Sequence, residues 1–210
     1  MQYYIIVSII AYAIGSIMSS VIISRKFAGF DIRTKGSKNA GTTNALRTMG
    51  KKASFIVLIC DILKGVIAIL IAMLVAKIAN IEDATSLKYL AGFFVILGHT
   101  FPIFFEFRGG KGVATSLGVL LMLDAKIGLI CLTLAIALMA ITKMVSVGSL
   151  VAAILYPILV IFIHGKENIF SIVISILIAL LIIFNHRENI KRLKEGKEDK
   201  IHFFQNRREN

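Results

Sequence analysis

Two glycine-rich loops carry most of the residues in this chain that could do chemistry: GSKNAGTTN at Gly36–Asn44 and RGGKGVAT at Arg108–Thr115. Loops of this composition present backbone N–H groups beside a Lys or Arg, which suits oxyanions and above all phosphate. In the first loop Ser37, Asn39, Thr42, Thr43 and Asn44 supply hydrogen-bond donors. Gly36 and Gly41 allow close backbone approach to a ligand. Arg47 follows three residues later, on an expected short helix, where its guanidinium could grip phosphate bidentately. In the second loop Lys111 is followed by Gly112 rather than Ser or Thr, and the flanks are apolar, so a nucleotide-binding P-loop is a poor reading. An anion nest formed by Gly110, Lys111 and Gly112 at the N-terminus of a helix over 113–123 is a better one.

Other polar residues are sparse. Ser146 lies in the connection Lys143–Ser149. His186 and Asn189 lie three apart just after the last apolar run, a spacing that puts both on one helical face. Taken alone, that segment also reads as a solvated basic helix. Lys197-Glu-Asp-Lys and the tail beyond it read as ordinary solvated charge. Asp61 and Lys64 sit one helical turn apart inside an apolar run. An ionisable group at that depth costs roughly 2.5–3.5 kcal/mol, so the two form either an internal ion pair or the base of a site. His99 and Pro102 are read as structural. Ser16, Ser20 and Ser24 beside Gly15 are read as a close helix-packing face. Cys60 and Cys131 lie in apolar runs without metal-ligand spacing, so neither a disulfide framework nor a metal site is expected.

The elements that must position these residues are membrane helices. The chain has 210 residues, 57% hydrophobic, far above a soluble domain of this size. Apolar runs fall near 4–24, 54–76, 89–107, 113–123, 127–142, 147–163 and 168–184. The 113–123 run rises only about 16 Å as a helix, so it is either a buried short helix or part of a re-entrant hairpin. The expected fold is therefore an all-α polytopic membrane protein of about seven transmembrane helices, one of them short or re-entrant. Of the 24 Lys and Arg residues, 19 lie in the loops 25–53, 107–112, 143–146 and 185–210. This asymmetry orients the N-terminus outside and the C-terminus in the cytoplasm. The glycine-rich loops, Lys143–Ser149 and the basic C-terminal segment then share the cytoplasmic face. The net charge of +12 is explained by anionic lipid headgroups, and no soluble region is left for nucleic acid. The N-terminus lacks the basic region and cleavage site of a signal peptide.

GSKNAGTTN with Arg47, Asp61-x-x-Lys64-Gly65, Gly98-His-x-x-Pro102, FRGGKGVAT, Ser146-x-x-Ser149-Leu150 and HRENIKRL together resemble one family. It is the bacterial membrane acyl-phosphate-dependent glycerol-3-phosphate acyltransferase family, and the resemblance runs from about Gly15 to Glu198. It implies transfer of a fatty acyl group from acyl phosphate to the sn-1 hydroxyl of glycerol 3-phosphate. The products would be lysophosphatidate and inorganic phosphate, with no cofactor. It also implies a single acyltransferase domain over 1–198, a basic tail over 199–210, and a bacterial cell-membrane location. The implied partners are the two substrates, membrane lipids and a soluble enzyme that supplies acyl phosphate. By resemblance Ser37, Arg47, Lys111, His186 and Asn189 form the catalytic group. Gly36, Asn39, Gly41, Thr43, Asn44, Gly110, Gly112 and Ser146 bind substrate phosphate. Where the family loop reads Gly-Ser-Gly-Asn, this chain has Lys38 at the second glycine, a position that could require positive φ. No histidine has Asp five residues on, so the thioester-dependent acyltransferase pair is missing. A transporter of a phosphorylated solute would use similar basic loops, but needs polar residues across to the outer face, where the loops are short and near neutral.

Overall fold

The apolar runs are helical in the computed structural model, which describes residues 1–165 and 168–200. The helices are α1 (Gln2–Gly15), α2 (Ser19–Ala28), α3 (Thr42–Met49), α4 (Lys51–Ile78), α5 (Ala84–Thr100), α6 (Val113–Leu123), α7 (Ala125–Thr142), α8 (Val145–His164), α9 (Ile169–Asn185) and α10 (Arg187–Lys194). No strand occurs among the described residues. Five helical segments are long and apolar enough to cross a membrane: Gln2–Ala28, Lys51–Ile78, Ala84–Phe105, Ala125–Thr142 and Val145–His164. The sixth, α9 with α10, is bent by 58°. Residues 201–210, with His202, and residues 166–167, with Lys166, lie outside the described residues.

Small residues set the packing, because helices in lipid associate by close van der Waals contact rather than by hydrophobic exclusion. A Cβ on Gly15 of α1 would stand 2.1 Å from the Val95 carbonyl oxygen of α5, and one on Gly98 would stand 2.2 Å from that of Tyr12. The short α6 is pressed against α4 in the same way: a Cβ on Gly118 would meet the Ile62 carbonyl oxygen at 2.2 Å, and one on Gly65 that of Thr115 at 2.5 Å. The helix over 113–123 is thus a buried short helix. Asp124 alone joins it to α7, accepting from the N–H groups of Lys126 and Ile127.

The first apolar run is not one helix. It breaks at Ser16–Met18. Ser16 stands in this break, buried where a Cβ on Gly98 would meet its backbone nitrogen at 3.0 Å, so the packing face expected beside Gly15 holds there, while Ser20 and Ser24 have a different use. Ser20 Oγ donates to the Ala40 carbonyl (2.9 Å), and Ser24 Oγ accepts from the Ile32 N–H (3.1 Å). These bonds pin the first glycine-rich loop to α2. Beneath it lies a small apolar cluster of Met18, Val21, Ile32, Ala40, Ala45 and Val57, separate from the main core of the bundle.

Candidate active site

The first loop is organised by Asn44, which is 1% exposed at the start of α3. Its amide nitrogen lies within hydrogen-bond distance of the carbonyls of Ile32 (3.1 Å), Lys35 (3.0 Å) and Asn39 (2.9 Å), and its oxygen accepts from the Ser37 N–H (2.9 Å). With both ends of the amide committed, Asn44 holds the loop instead of reaching outward. Gly36 has φ +59 and no room for a side chain, since a Cβ would stand 2.2 Å from Asn44 Oδ1. Gly41 needs neither property: it has no positive φ, and only the flexible Asn39 Oδ1 lies within reach. Lys38 does adopt φ +58, so the left-handed conformation is kept without the glycine. Ser37 and Lys38 are exposed, Asn39, Thr43 and Arg47 half-buried. Arg47 projects from α3 and pairs with Asp199 Oδ2 at 3.1 Å.

The second loop departs from the expected nest. The N–H groups of Gly109 and Gly110 donate to the carbonyls of Thr100 (3.2 Å) and His99 (3.0 Å). Those carbonyls belong to the last turn of α5, where no helical N–H remains to meet them. The glycine pair caps α5 and does not bind an anion through these N–H groups. Glycine is needed at both positions because a Cβ would stand 2.1 Å from His99 oxygen (Gly109) or His99 Nε2 (Gly110). Gly112, at φ +86, turns the chain into α6. The N–H groups of the first turn of α6 point back along the axis toward Lys111.

Lys111 is the centre of the assembly. Its ammonium donates to Asn189 Oδ1 on α10. Burial, then the nearby Arg192, lower its pKa to about 8; Glu198 opposes the shift and Arg47 adds to it. Asn189 Nδ2 and Ser146 Oγ both donate to Glu198 Oε1 (2.6 and 2.7 Å), and Arg192 Nε donates to Oε2 (2.8 Å). Glu198 therefore ties α10 to the start of α8. Its carboxyl lies below the usual range: burial alone would raise it, and the hydrogen bonds from Asn189, Ser146 and Arg192 overcome that. The expectation of solvated charge at Lys197-Glu-Asp-Lys is thus corrected, because the Glu198 side chain is 5% exposed and Asp199 meets Arg47. His186 caps α9 rather than lying within α10, and is 2% exposed. Its Nδ1 lies 2.8 Å from the Ile182 carbonyl. A carbonyl only accepts, so Nδ1 carries the proton and the neutral ring keeps a lone pair on Nε2.

Lys111, Asn189, Ser146 and Arg192 are thus brought into one network, with Arg47 close enough to act on the Lys111 charge. Ser37 makes no side-chain hydrogen bond to that network. A bridge not evident in the sequence joins the segments that lead into the two loops: Arg33, 6% exposed, donates from Nη1 to the Phe105 carbonyl (2.7 Å). Asp31 clamps Arg33 through Nε and Nη2, and these bonds hold the Asp31 carboxyl far below the usual range. The signal for Arg33 and Glu198 lay only in contacts 72 and 52 residues apart.

A polytopic helical bundle that gathers Lys111 of the second glycine-rich loop, Ser146 of α8, and Asn189 and Arg192 of α10, with Arg47 of α3 nearby, has the build of a membrane enzyme for phosphorylated substrates. A profile of the glycerol-3-phosphate acyltransferase family matches residues 5–196, and the chain belongs to that family. It is 46% identical over 198 residues to the glycerol-3-phosphate acyltransferase of Clostridioides difficile (strain 630), covering 94% of this chain and 95% of the relative. It is 44% identical over 198 residues to that of Coxiella burnetii (strain Dugway 5J108-111), covering 94% and 98%. Two crystal forms of PlsY (YgiH), an integral membrane glycerol 3-phosphate acyltransferase, superpose on it. The glycerol 3-phosphate form gives a TM-score of 0.84 at 37% identity over 95% of this chain and 96% of PlsY. The lysophosphatidic acid form gives 0.82 at 36% identity over 95% of each. This chain is an acyltransferase and a multi-pass membrane protein.

Proposed function

We propose that this chain transfers a fatty acyl group from acyl phosphate to the sn-1 hydroxyl of glycerol 3-phosphate, releasing lysophosphatidate and inorganic phosphate. The convergence of Lys111, Arg47, Arg192, Asn189 and Ser146 carries the reading: both substrates bear phosphate, and the cluster is built of cations and neutral donors that outnumber its carboxylates, Glu198 and Asp199. Glycerol 3-phosphate and lysophosphatidic acid, the ligands of the two PlsY forms, are the matching substrate and product.

Acyl phosphate is already an activated anhydride, so the protein has chiefly to position it and to stabilise developing charge. The sn-1 oxygen attacks the acyl carbon, the bond from that carbon to the phosphate oxygen breaks, and phosphate leaves. The hydroxyl proton passes to a phosphate oxygen, and no acyl-enzyme forms. Trapping a covalent acyl adduct would overturn this. A second reading gives the proton to His186, favoured by the lone pair its bond to Ile182 leaves on Nε2. Near-normal turnover by His186→Gln would remove that reading.

Ser37, Arg47, Lys111, His186 and Asn189 are assigned to the reacting groups. Gly36, Asn39, Gly41, Thr43, Gly112 and Ser146 are assigned to the phosphate pockets, with Asn44 and Gly110 holding the loops in shape. Residues 1–198 act as one domain in the bacterial cell membrane, N-terminus outside, with the site facing the cytoplasm and a soluble supplier of acyl phosphate. The deciding experiment supplies purified protein in lipid with glycerol 3-phosphate and either palmitoyl phosphate or palmitoyl-coenzyme A. Product from the acyl phosphate alone supports the donor assignment; product from the thioester alone overturns it.

A further inference from the structure

The buried ion pair inside α4 is joined to the Lys111 loop. Lys64 Nζ lies 3.2 Å from Asp61 Oδ1, 3.1 Å from the Gly15 carbonyl and 3.2 Å from that of Ile17. The two carbonyls are at the break in the first span, where helical partners are lost. The same ammonium stands 2.6 Å from His99 Nδ1. An ammonium has no acceptor, so Nδ1 accepts and the ring proton sits on Nε2. That edge of the ring lies against Gly110, where an added Cβ would meet Nε2 at 2.1 Å, Cε1 at 2.9 Å and Cδ2 at 3.1 Å. The backbone of the same residue holds the loop as well, since the His99 carbonyl accepts from the Gly110 N–H at 3.0 Å. Lys64 and His99 are 6% and 2% exposed, so neither meets solvent in making these contacts.

We propose that Lys64 and His99 are positioning residues of the active site. Lys64, anchored on the broken first span, fixes the orientation of the His99 ring, and the ring edge sets the seat of Gly109–Lys111 and the reach of the Lys111 ammonium. An ion pair serving only to satisfy the broken helix would have no need of an imidazole packed under the neighbouring residue of Lys111. The inference rests on Lys111 binding substrate phosphate.

The test is a cycle between His99 and Gly110. His99→Asn keeps an acceptor where Nδ1 stands but removes the ring edge. Gly110→Ala puts a methyl group into that edge, at a position without positive φ. Titration of glycerol 3-phosphate binding in nanodiscs is read beside kcat and the KM of both substrates. His99→Asn is expected to raise KM for a phosphorylated substrate about tenfold with kcat changed less, and Gly110→Ala to lower kcat/KM more than tenfold. The double variant should recover about fivefold or more over Gly110→Ala, because the methyl fills the space the ring vacates. Losses that simply multiply, or His99→Asn with unchanged KM and binding, would overturn the proposal. Lys64→Met with Asp61→Asn removes both charges together, leaving no lone buried carboxylate. It should show the same KM rise in folded protein, and an unchanged KM would count against Lys64. A cycle that shows the coupling in glycerol 3-phosphate binding, with wild-type protein giving no product from acyl phosphate, would sink the donor assignment and leave this inference standing.

Discussion

Gly36 and Gly41 have the same apparent purpose in sequence and different structures, which makes the first loop a sharp test. Gly36→Ala forces a side chain into φ +59, at a cost of about 1–2 kcal/mol. Its Cβ would stand 2.2 Å from Asn44 Oδ1, so that oxygen must retreat from the Ser37 N–H it holds at 2.9 Å, which costs about 1 kcal/mol more. The sum of about 2–3 kcal/mol falls on a loop seated on its own small apolar cluster, and corresponds to about a 30- to 150-fold loss of the competent conformation. Gly41→Ala meets only the movable Asn39 Oδ1, at 2.9 Å, and should stay within about threefold of wild type. The assay is kcat/KM for glycerol 3-phosphate in lipid, with Tm recorded for each variant. A Gly36→Ala enzyme within threefold of wild type would refute the assignment of Asn44 as the loop's organiser. Equal losses in the two variants would refute the distinction between the glycines.

Lys38→Gly should relieve the left-handed strain at φ +58 and leave activity unchanged or raised up to about threefold, whereas a tenfold fall would place the ammonium on substrate. Asp199→Asn releases an exposed partner of Arg47, worth about 0.2–1 kcal/mol, so KM for a phosphorylated substrate should fall by no more than about fivefold; a rise would show that Asp199 shapes the site. Lys111 has a folded pKa of about 8, below that of an unfolded lysine, so the unfolded chain binds the extra proton between about pH 8 and 10.5. Its contribution to stability therefore rises with pH across that window, while activity, which needs the charge, falls. The difference in denaturation profile between wild type and Lys111→Met should show this, and activity that holds flat to pH 10 would argue against a charged Lys111.

What the sequence made legible follows from what lipid demands. A backbone in hydrocarbon must satisfy its own polar groups, so the apolar runs had to be helical; six of the seven fall on one α-helix each, and the first divides into α1 and α2. Loop chemistry was legible in type but not in use. Gly110 read as part of an anion nest, yet its N–H and that of Gly109 close the end of α5; nothing local distinguishes a glycine that admits a ligand from one that admits another turn of chain. The break at Ser16–Met18 was hidden because no proline marks it, and the residue that answers it, Lys64, lies 49 positions from Gly15. Glu198 was hidden for the same reason: in Lys-Glu-Asp-Lys it has the composition of a solvated tail, and only Ser146 across the bundle gives it a place.

Charge balance explains why that hidden carboxylate matters. Three cations, Lys111, Arg192 and Arg47, share one half-buried region, and the lowered pKa of Lys111 reflects its burial first and the repulsion from the two arginines second. Left without a counter-charge, such a cluster would shed the Lys111 proton at a lower pH, and a neutral lysine is a weak ligand for phosphate. Glu198 works against this by raising the proton affinity of Lys111 while drawing in Ser146, Asn189 and Arg192. Two carboxylates, Glu198 and the more exposed Asp199, against three cations still leave the region net positive, the sign that suits an incoming phosphate. Replacing Glu198 by Gln would therefore act on the protonation of Lys111 as well as on packing, moving the alkaline limb of the activity profile to lower pH. A loss of activity that is uniform across pH would assign Glu198 to structure alone.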